Sequence, residues 1–530
     1  MALGNRNSQN RFAQAPSVNI QRSQFDRSFA IKDTFDFDYL VPIFVDEILP
    51  GDSCNVTLNM FARLATQKVP IMDNMMIDYF FFFVPNRLVW ENWEKFNGAQ
   101  ENPGDSTDFV IPQISPPSQK FDVGSLADKF GLPTDTSVQP TVNALPFRAY
   151  HLIWNQWFRD QNLQASTPIN KGNGPDDYLT LANMKKRNKK HDYFTSALPW
   201  PQKGPSIQLP MGGDVPVVGN GNAIYFQDEN DTSNRATMIK DANNQYARVL
   251  TQGGAWERPL EFAEDADYSS LTALLSEATF VTINQVREAF AMQSLFELDA
   301  QAGTRYTEIL QAHFKVTSPD FRLQRAEYLG GGSTSINSHP VAQTAGTSPE
   351  SYQAQLAAFG TSATNGQNIG FTKSFVEHGY VIGMACARAD VTYQQGLNRM
   401  WARKTRYDFF WPKLQDIGEQ AVMTNEIYYQ YGFNDQVFGY QERYAEYRYK
   451  PSEIHGQFRS TYENSLDVWH MAQEFEFEPT LGPTFIEQNT PIDRAIAVTN
   501  EPHLLFDAYF NYKHARPMAV RSIPASLGRF

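Results

Sequence analysis

Nine histidines and two cysteines are the side chains in this 530-residue sequence best suited to metal binding or nucleophilic catalysis. Their spacing supports neither. No histidine pair has the HExxH arrangement that sets two imidazoles on one helical face, and no histidine adjoins a serine or cysteine nucleophile motif. Cys54 and Cys386 are too few for a disulfide framework or a cysteine zinc site, which leaves them as small buried apolar residues in a reducing compartment. The glycine strings fail for comparable reasons. "VVGNGNAIYF" lacks the third glycine and following helix of a dinucleotide loop, and "LGGGST" lacks the lysine of a phosphate loop. "DENDTSN" groups Asp228, Glu229 and Asp231 without the glycine and final glutamate of an EF-hand. An acidic chain supplies many carboxylates, yet no pair stands out for glycoside hydrolysis. The residues predict no catalysis, no cofactor and no bound metal.

Binding chemistry is better represented. "KKRNKK" sets Lys185, Lys186, Arg187, Lys189 and Lys190 within six residues, a composition suited to phosphate or to an exposed turn. "YQERYAEYRYKP" interleaves Tyr440, Tyr444, Tyr447 and Tyr449 with Arg443 and Arg448. That pattern marks nucleic-acid platforms and protein interfaces alike, and the acids among the arginines favour an interface between subunits. Charge is unevenly spread: the formal net charge is −13, but residues 1–32 and 508–530 each carry about +4. The basic ends hold Arg6, Arg11, Arg22 and Arg27, then Lys513, Arg516, Arg521 and Arg529, and are expected to meet a polyanion. The intervening body is strongly acidic.

Positioning these groups falls mainly to β-strands. "FDFDYLV" from Phe35 alternates, with Phe35, Phe37 and Tyr39 on a dry face and Asp36 and Asp38 on a wet one. "CNVTLNMF" repeats the pattern with Cys54, Val56, Leu58 and Met60 inward, after the turn signal "LPGD". "YFFFFV" does not alternate, so a strand there must be buried on both faces, one inside a sandwich and one under a helix or insertion. "LPFRAYHLIWNQWFRDQNL" steps by threes and fours and predicts an amphipathic helix near 146–160, a candidate cover. A second helix follows the capping box of Thr282 and Gln285. Strands at both ends with helices and loops between them argue for one sandwich closed by distant segments. The expected divisions are a basic arm at 1–33, core at 34–204 and a polar surface insertion at 205–275. A helical insertion follows at 276–330, then a Gly/Ser-rich loop at 331–370, core again at 371–507 and a basic arm at 508–530. No apolar leader begins the sequence and no stretch has the apolar length of a membrane span, so membrane insertion is not expected.

Five long strings carry a resemblance. "FDRSFAIKDTFDFDYLVPIFVDEILPGDSCNVTLNMFARLATQKVP", "FFFFVPNRLVWENWEKFNGAQ", "QGLNRMWARKTRYDFFWP", "FGYQERYAEYRYKPSEIHGQFRSTY" and "ARPMAVRSIPASLGRF" resemble the major capsid protein of gokushovirus-type Microviridae, small single-stranded DNA bacteriophages. The resemblance implies a mainly β protein, an eight-stranded antiparallel jelly roll with long loop and helical insertions, and no enzymatic activity. It also implies self-assembly of about sixty copies into an icosahedral virion shell around single-stranded DNA, in the host cytoplasm. A bacterial surface receptor reached by the 205–275 insertion and a small basic DNA-packaging protein are further expected partners. A polysaccharide-binding or polysaccharide-degrading β-sandwich is the alternative that the tryptophans, tyrosines and acidic loops leave open.

Overall fold

The computed structural model describes residues 22–117, 120–204, 283–301, 306–315, 324–342, 344, 356–364, 368–430 and 436–521, with the strand backbone of six short stretches between 217 and 273. The chain divides into two compact units, Gln202–Gly303 and the remainder.

The larger unit is built on two antiparallel sheets. Its N-terminal strands are β1 (Ser23–Asp26), β2 (Phe29–Phe35), β3 (Val41–Ile48), β4 (Ser53–Leu64) and β5 (Met75–Pro85). One sheet runs Glu327–Ser335, β5, Gly379–Ala389, β3. The other is centred on the closing strand Leu504–Arg516, which pairs with β4 on one side and with β1 and β2 along the other. Beyond β4 lie Leu356–Ala363 and Ile369–Ser374, and Asn337–Ala342 forms the edge. The first and last strands among the described residues thus share one sheet, as a sandwich closed by distant segments requires. β4 alternates along its whole length, with Cys54, Val56, Leu58 and Met60 inward. Both cysteines are buried and unpaired.

β5 answers to its composition. Phe81 and Phe83 enter the core between the sheets, where Phe44 meets Phe81, Phe371, Phe510 and Tyr512 with ring centroids 5.3–6.5 Å apart. Phe82 and Val84 enter a second core on the outer face, against Phe147, Tyr150 and Ile153 of the Leu145–Ile153 helix. Burying each phenylalanine contributes roughly 1.5–3 kcal/mol. Gly379–Ala389, the central neighbour of β5, is buried at all eleven positions for the same reason. The helix is shorter than its sequence pattern: after Ile153 it widens into a π turn, Trp154–Phe158, and Trp157 remains 38% exposed.

Two expectations need correction. "FDFDYLV" is not one strand with a wet aspartate face. β2 ends at Phe35, Asp38 has φ of 74°, and its carboxylate is buried. Thr490 supplies what solvent would have: its backbone N–H and hydroxyl donate to Asp38 at 2.6 and 2.7 Å. Burial nevertheless raises the carboxyl pKa. The Gly/Ser-rich 331–370 segment, expected as a loop, contributes with its described residues to four strands. Its glycines permit close approach. A Cβ on Gly331 would stand 2.0 Å from the Tyr79 carbonyl oxygen, and one on Gly370 would stand 1.9 Å from that of Val56.

The Gln202–Gly303 unit holds a four-stranded antiparallel sheet ordered Tyr246–Thr251, Asp231–Lys240, Tyr225–Asp228, Leu260–Phe262. A two-stranded pair, Val217–Gly219 with Leu271–Ala273, and the helix Ile283–Gln301 complete it. Thr282 of the expected capping box lies outside the described residues.

Candidate assembly and nucleic-acid surfaces

The basic ends are partly structural. Ser23 pairs with Arg516 and Asp26 with Lys513, so the strands at the two basic ends are neighbours in one sheet. Arg27 clamps Asp46 through two hydrogen bonds of 2.5 and 2.8 Å. Lys513 pairs with Asp26, and Arg516 holds Asp52 at 2.9 Å. Beneath them His514 is fully buried, with Nδ1 2.8 Å from the Tyr512 hydroxyl and Nε2 3.0 Å from Asp52. Burial lowers its pKa, and the nearby Arg516 charge adds to the effect. Three of the expected nucleic-acid cations are therefore already paired, Arg27 and Arg516 around the buried His514 and Lys513 in an exposed ion pair with Asp26. Arg22 is exposed and donates to the Ser53 hydroxyl at 2.8 Å, Arg521 is exposed, and Arg6, Arg11 and Arg529 lie outside the described residues.

"KKRNKK" is an extended segment threaded between β-bridges, Tyr39 with Lys186 and Asn188 with Glu487. Its cations lie over aromatic rings. Lys185 stands 5.2 Å from the Trp154 ring, Lys186 5.4 Å from Tyr39, Arg187 5.2 Å from Phe80 and Lys189 4.0 Å from Phe485. Arg187 also pairs with Asp78, which Arg388 holds at 2.7 Å. Burial alone would raise the Asp78 pKa, but hydrogen bonds from Ser333 and Arg388 and the Arg187 charge bring it below the usual carboxylate range. Lys189 is 7% exposed and donates to Gln473 Oε1 at 2.9 Å; burial pulls its pKa down to about 8. Arg187 and Lys189 are thus occupied inside the fold, whereas Lys190 is exposed.

The tyrosine–arginine string divides as well. Tyr444 is buried, its hydroxyl donating to the Tyr407 carbonyl at 3.4 Å, and Tyr440 is half-buried in the Val437–Glu442 strand. Arg443 lies over the Tyr444 ring and Arg448 pairs with Glu442. Tyr447 and Tyr449 are exposed. They belong to a wider surface that the sequence reading missed: Met400, Trp401, Tyr407, Phe409, Phe410 and Trp411 are all 40–72% exposed. Arg403 sits 4.3 Å from the Tyr447 ring and 5.4 Å from Phe409, with Glu446 3.3 Å away, and Arg406 lies 4.4 Å from Trp411. The signal was present in "NRMWARKTRYDFFWP", whose aromatic and arginine density matches that of the tyrosine string. A surface of this composition, rich in apolar side chains with arginines held in stacking geometry, is suited to a desolvated contact. Among the described residues no His, Cys, Asp and Glu group is arranged to hold a metal, and no helix is long and apolar enough to cross a membrane.

Known proteins resemble the chain over its whole length. Residues 13–526 match the family described as Capsid protein (F protein). Capsid protein VP1 of Bdellovibrio phage phiMH2K is 53% identical, with both chains covered completely. Capsid protein VP1 of Chlamydia phage 1 is 41% identical and that of Spiroplasma virus 4 is 34% identical, each comparison covering 97% of both chains. The expected resemblance to gokushovirus-type coat proteins and the reading as a structural protein, not an enzyme, agree with the names of the relatives, the mainly β fold agrees with the sheets described above, and the chain belongs to the phage capsid protein (F protein) family, as a structural component of the virion.

Proposed function

We propose that about sixty copies of the chain close into an icosahedral shell around single-stranded DNA, with the Met400–Trp411 and Tyr447–Tyr449 surface as a contact between copies. The observation that carries this reading is the exposure of that surface. Trp401, 72% exposed, would remain hydrated in a lone subunit, and soluble monomers rarely display a continuous patch of this kind. The arginines within it supply the directional partners that interfaces favour. The basic ends support the DNA reading: Arg6, Arg11, Arg22, Arg521 and Arg529 lie in two acid-free stretches of sequence that flank the paired strands Ser23–Asp26 and Leu504–Arg516. The 205–275 insertion is the part that meets a bacterial surface receptor, and a small basic packaging protein shares the interior with DNA. Trp401→Asp tests the assembly surface, because it changes an exposed residue and leaves both cores untouched. Size-exclusion chromatography of the variant is expected to give folded subunits or small oligomers where the parent gives particles of megadalton mass. A variant that forms normal particles would remove this surface from the assembly.

A further inference from the structure

The outer face of β5 is not completely covered. Where the π turn Trp154–Phe158 ends, a groove of about 380 Å³ opens, floored by Phe80, Phe82, Trp157, Phe158 and Tyr328. Three of its rings form a triangle: Phe82 lies 5.4 Å from both Trp157 and Tyr328, and those two lie 6.1 Å apart. The Trp157 indole N–H donates to the Ala326 carbonyl at 2.9 Å, which fixes the ring and leaves its face as the part still available. The wider winding of the π turn brings Trp157 and Phe158, successive in sequence, to one groove; such turns recur at functional sites. Tyr328 is 43% exposed and Trp157 38%, so two of the three rings keep open surface.

The rim is cationic. Arg187 and Lys190 line the groove, and the Arg325 guanidinium stands 4.6 Å from the Trp157 ring. No carboxylate lines it, and among the described residues neither Lys190 nor Arg325 has an acid partner. In a chain of net charge −13, an aromatic floor beside Lys190 and Arg325 is not a generic surface. Sugar platforms pair aromatic faces with carboxylate or amide acceptors, and here Asn188 is the one such side chain among the lining residues. A flat π-system bearing negative charge on its flanks fits every part: the ring stacks on Trp157 or Tyr328 while the flanking phosphates meet Lys190 and Arg325.

We propose that this groove is a binding site for one unstacked base of a single-stranded nucleic acid, held by stacking and flanking phosphate contacts. The proposal rests on the reading that the shell encloses single-stranded DNA, and the experiment separates the two. Full particles carrying DNA substituted with 5-iododeoxyuridine are irradiated, and crosslinked peptides are mapped by mass spectrometry. Crosslinks at Trp157, Phe158 or Tyr328 are expected. In parallel, Tyr328→Ala and Lys190→Ala, both at exposed positions, are expected to weaken binding of a ten-residue oligodeoxythymidylate to the full-length protein. The expected loss is about fivefold or more for the tyrosine variant. Crosslinks confined to other segments with unchanged oligonucleotide affinity would overturn the groove site and leave DNA enclosure standing. A neighbouring copy's side chain seated in the groove of the particle would overturn it in favour of a protein contact. Particles that hold no DNA would overturn the enclosing role and the site together.

Discussion

Single residues show where burial and charge are in tension. Phe82 is 1% exposed between the Leu145–Ile153 helix and the sheet, and Phe81 is fully buried in the sandwich core. An aspartate at Phe81 has no cation in the sandwich core to pair with, and one at Phe82 would lose the ring packing on Trp157 and Tyr328 beneath a rim whose Arg187 is already paired with Asp78. Phe81→Asp or Phe82→Asp is therefore expected to cost several kcal/mol, comparable with the whole stability of a domain, and to abolish soluble protein. Soluble, assembling variants would contradict burial on both faces. Lys189 presents the opposite case, a charge the fold holds against its preference. Its folded pKa of about 8 lies below the ordinary lysine value of about 10.5, so the unfolded chain binds the extra proton between those values. Stability from this residue is then lowest below about pH 8 and rises as pH climbs toward 10.5. Lys189→Met is expected to be more stable than the parent near neutrality, by on the order of 2–3 kcal/mol, with the gap shrinking toward pH 10. Denaturant titrations of the two proteins across this range check it; a gap that widens with pH would refute the burial of the charged amine. The sequence displayed the cations of "KKRNKK" but not their destinations, because Asp78, Gln473 and the Phe485 ring approach from distant segments.

At the scale of elements, legibility followed periodicity. β4 and β5 could be read from two-residue alternation and from its absence, since each face of a strand meets one environment along its length. The 331–370 segment could not. Its strands are built from glycine, serine and threonine chosen for close backbone approach, as at Gly331 and Gly370, and hydrophobicity patterns do not register that kind of packing. The break at Asp38 was hidden for a related reason: the partner that satisfies its carboxylate, Thr490, is 452 positions away. The Gln202–Gly303 unit has its own sheets, so removing it leaves the pairings of the sandwich intact. Replacing 205–275 with a short linker is expected to retain a folded core, because loop closure free energy changes slowly with length. Attachment to host cells should fall. Circular dichroism and an adsorption assay check the two halves, and shortened particles that adsorb as well as the parent would remove the receptor role.

For the whole molecule, charge sets a limit on what the coat can do alone. The two ends and "KKRNKK" offer thirteen candidate cations per chain, about 780 in a shell of about sixty copies. A genome that encodes even this one chain carries at least about 1,590 phosphates, and the fold has already engaged Arg27, Arg187, Lys189, Lys513 and Arg516. More than half of the phosphate charge needs another source. Full particles are accordingly expected to contain a small basic polypeptide, polyamine or excess divalent cation, and composition analysis that finds DNA with none of these would refute the charge argument. Assembly itself is the larger claim, and the fold made it only partly legible. The exposed aromatic and arginine side chains of Met400–Trp411 and Tyr447–Tyr449 name a face. Electron cryomicroscopy of the purified assembled protein tests it most directly. The expected image is a closed icosahedral shell in which Trp401, Phe409 and Tyr447 are buried against a neighbouring copy. A protein that remains monomeric, or a shell in which those side chains face solvent, would contradict the account.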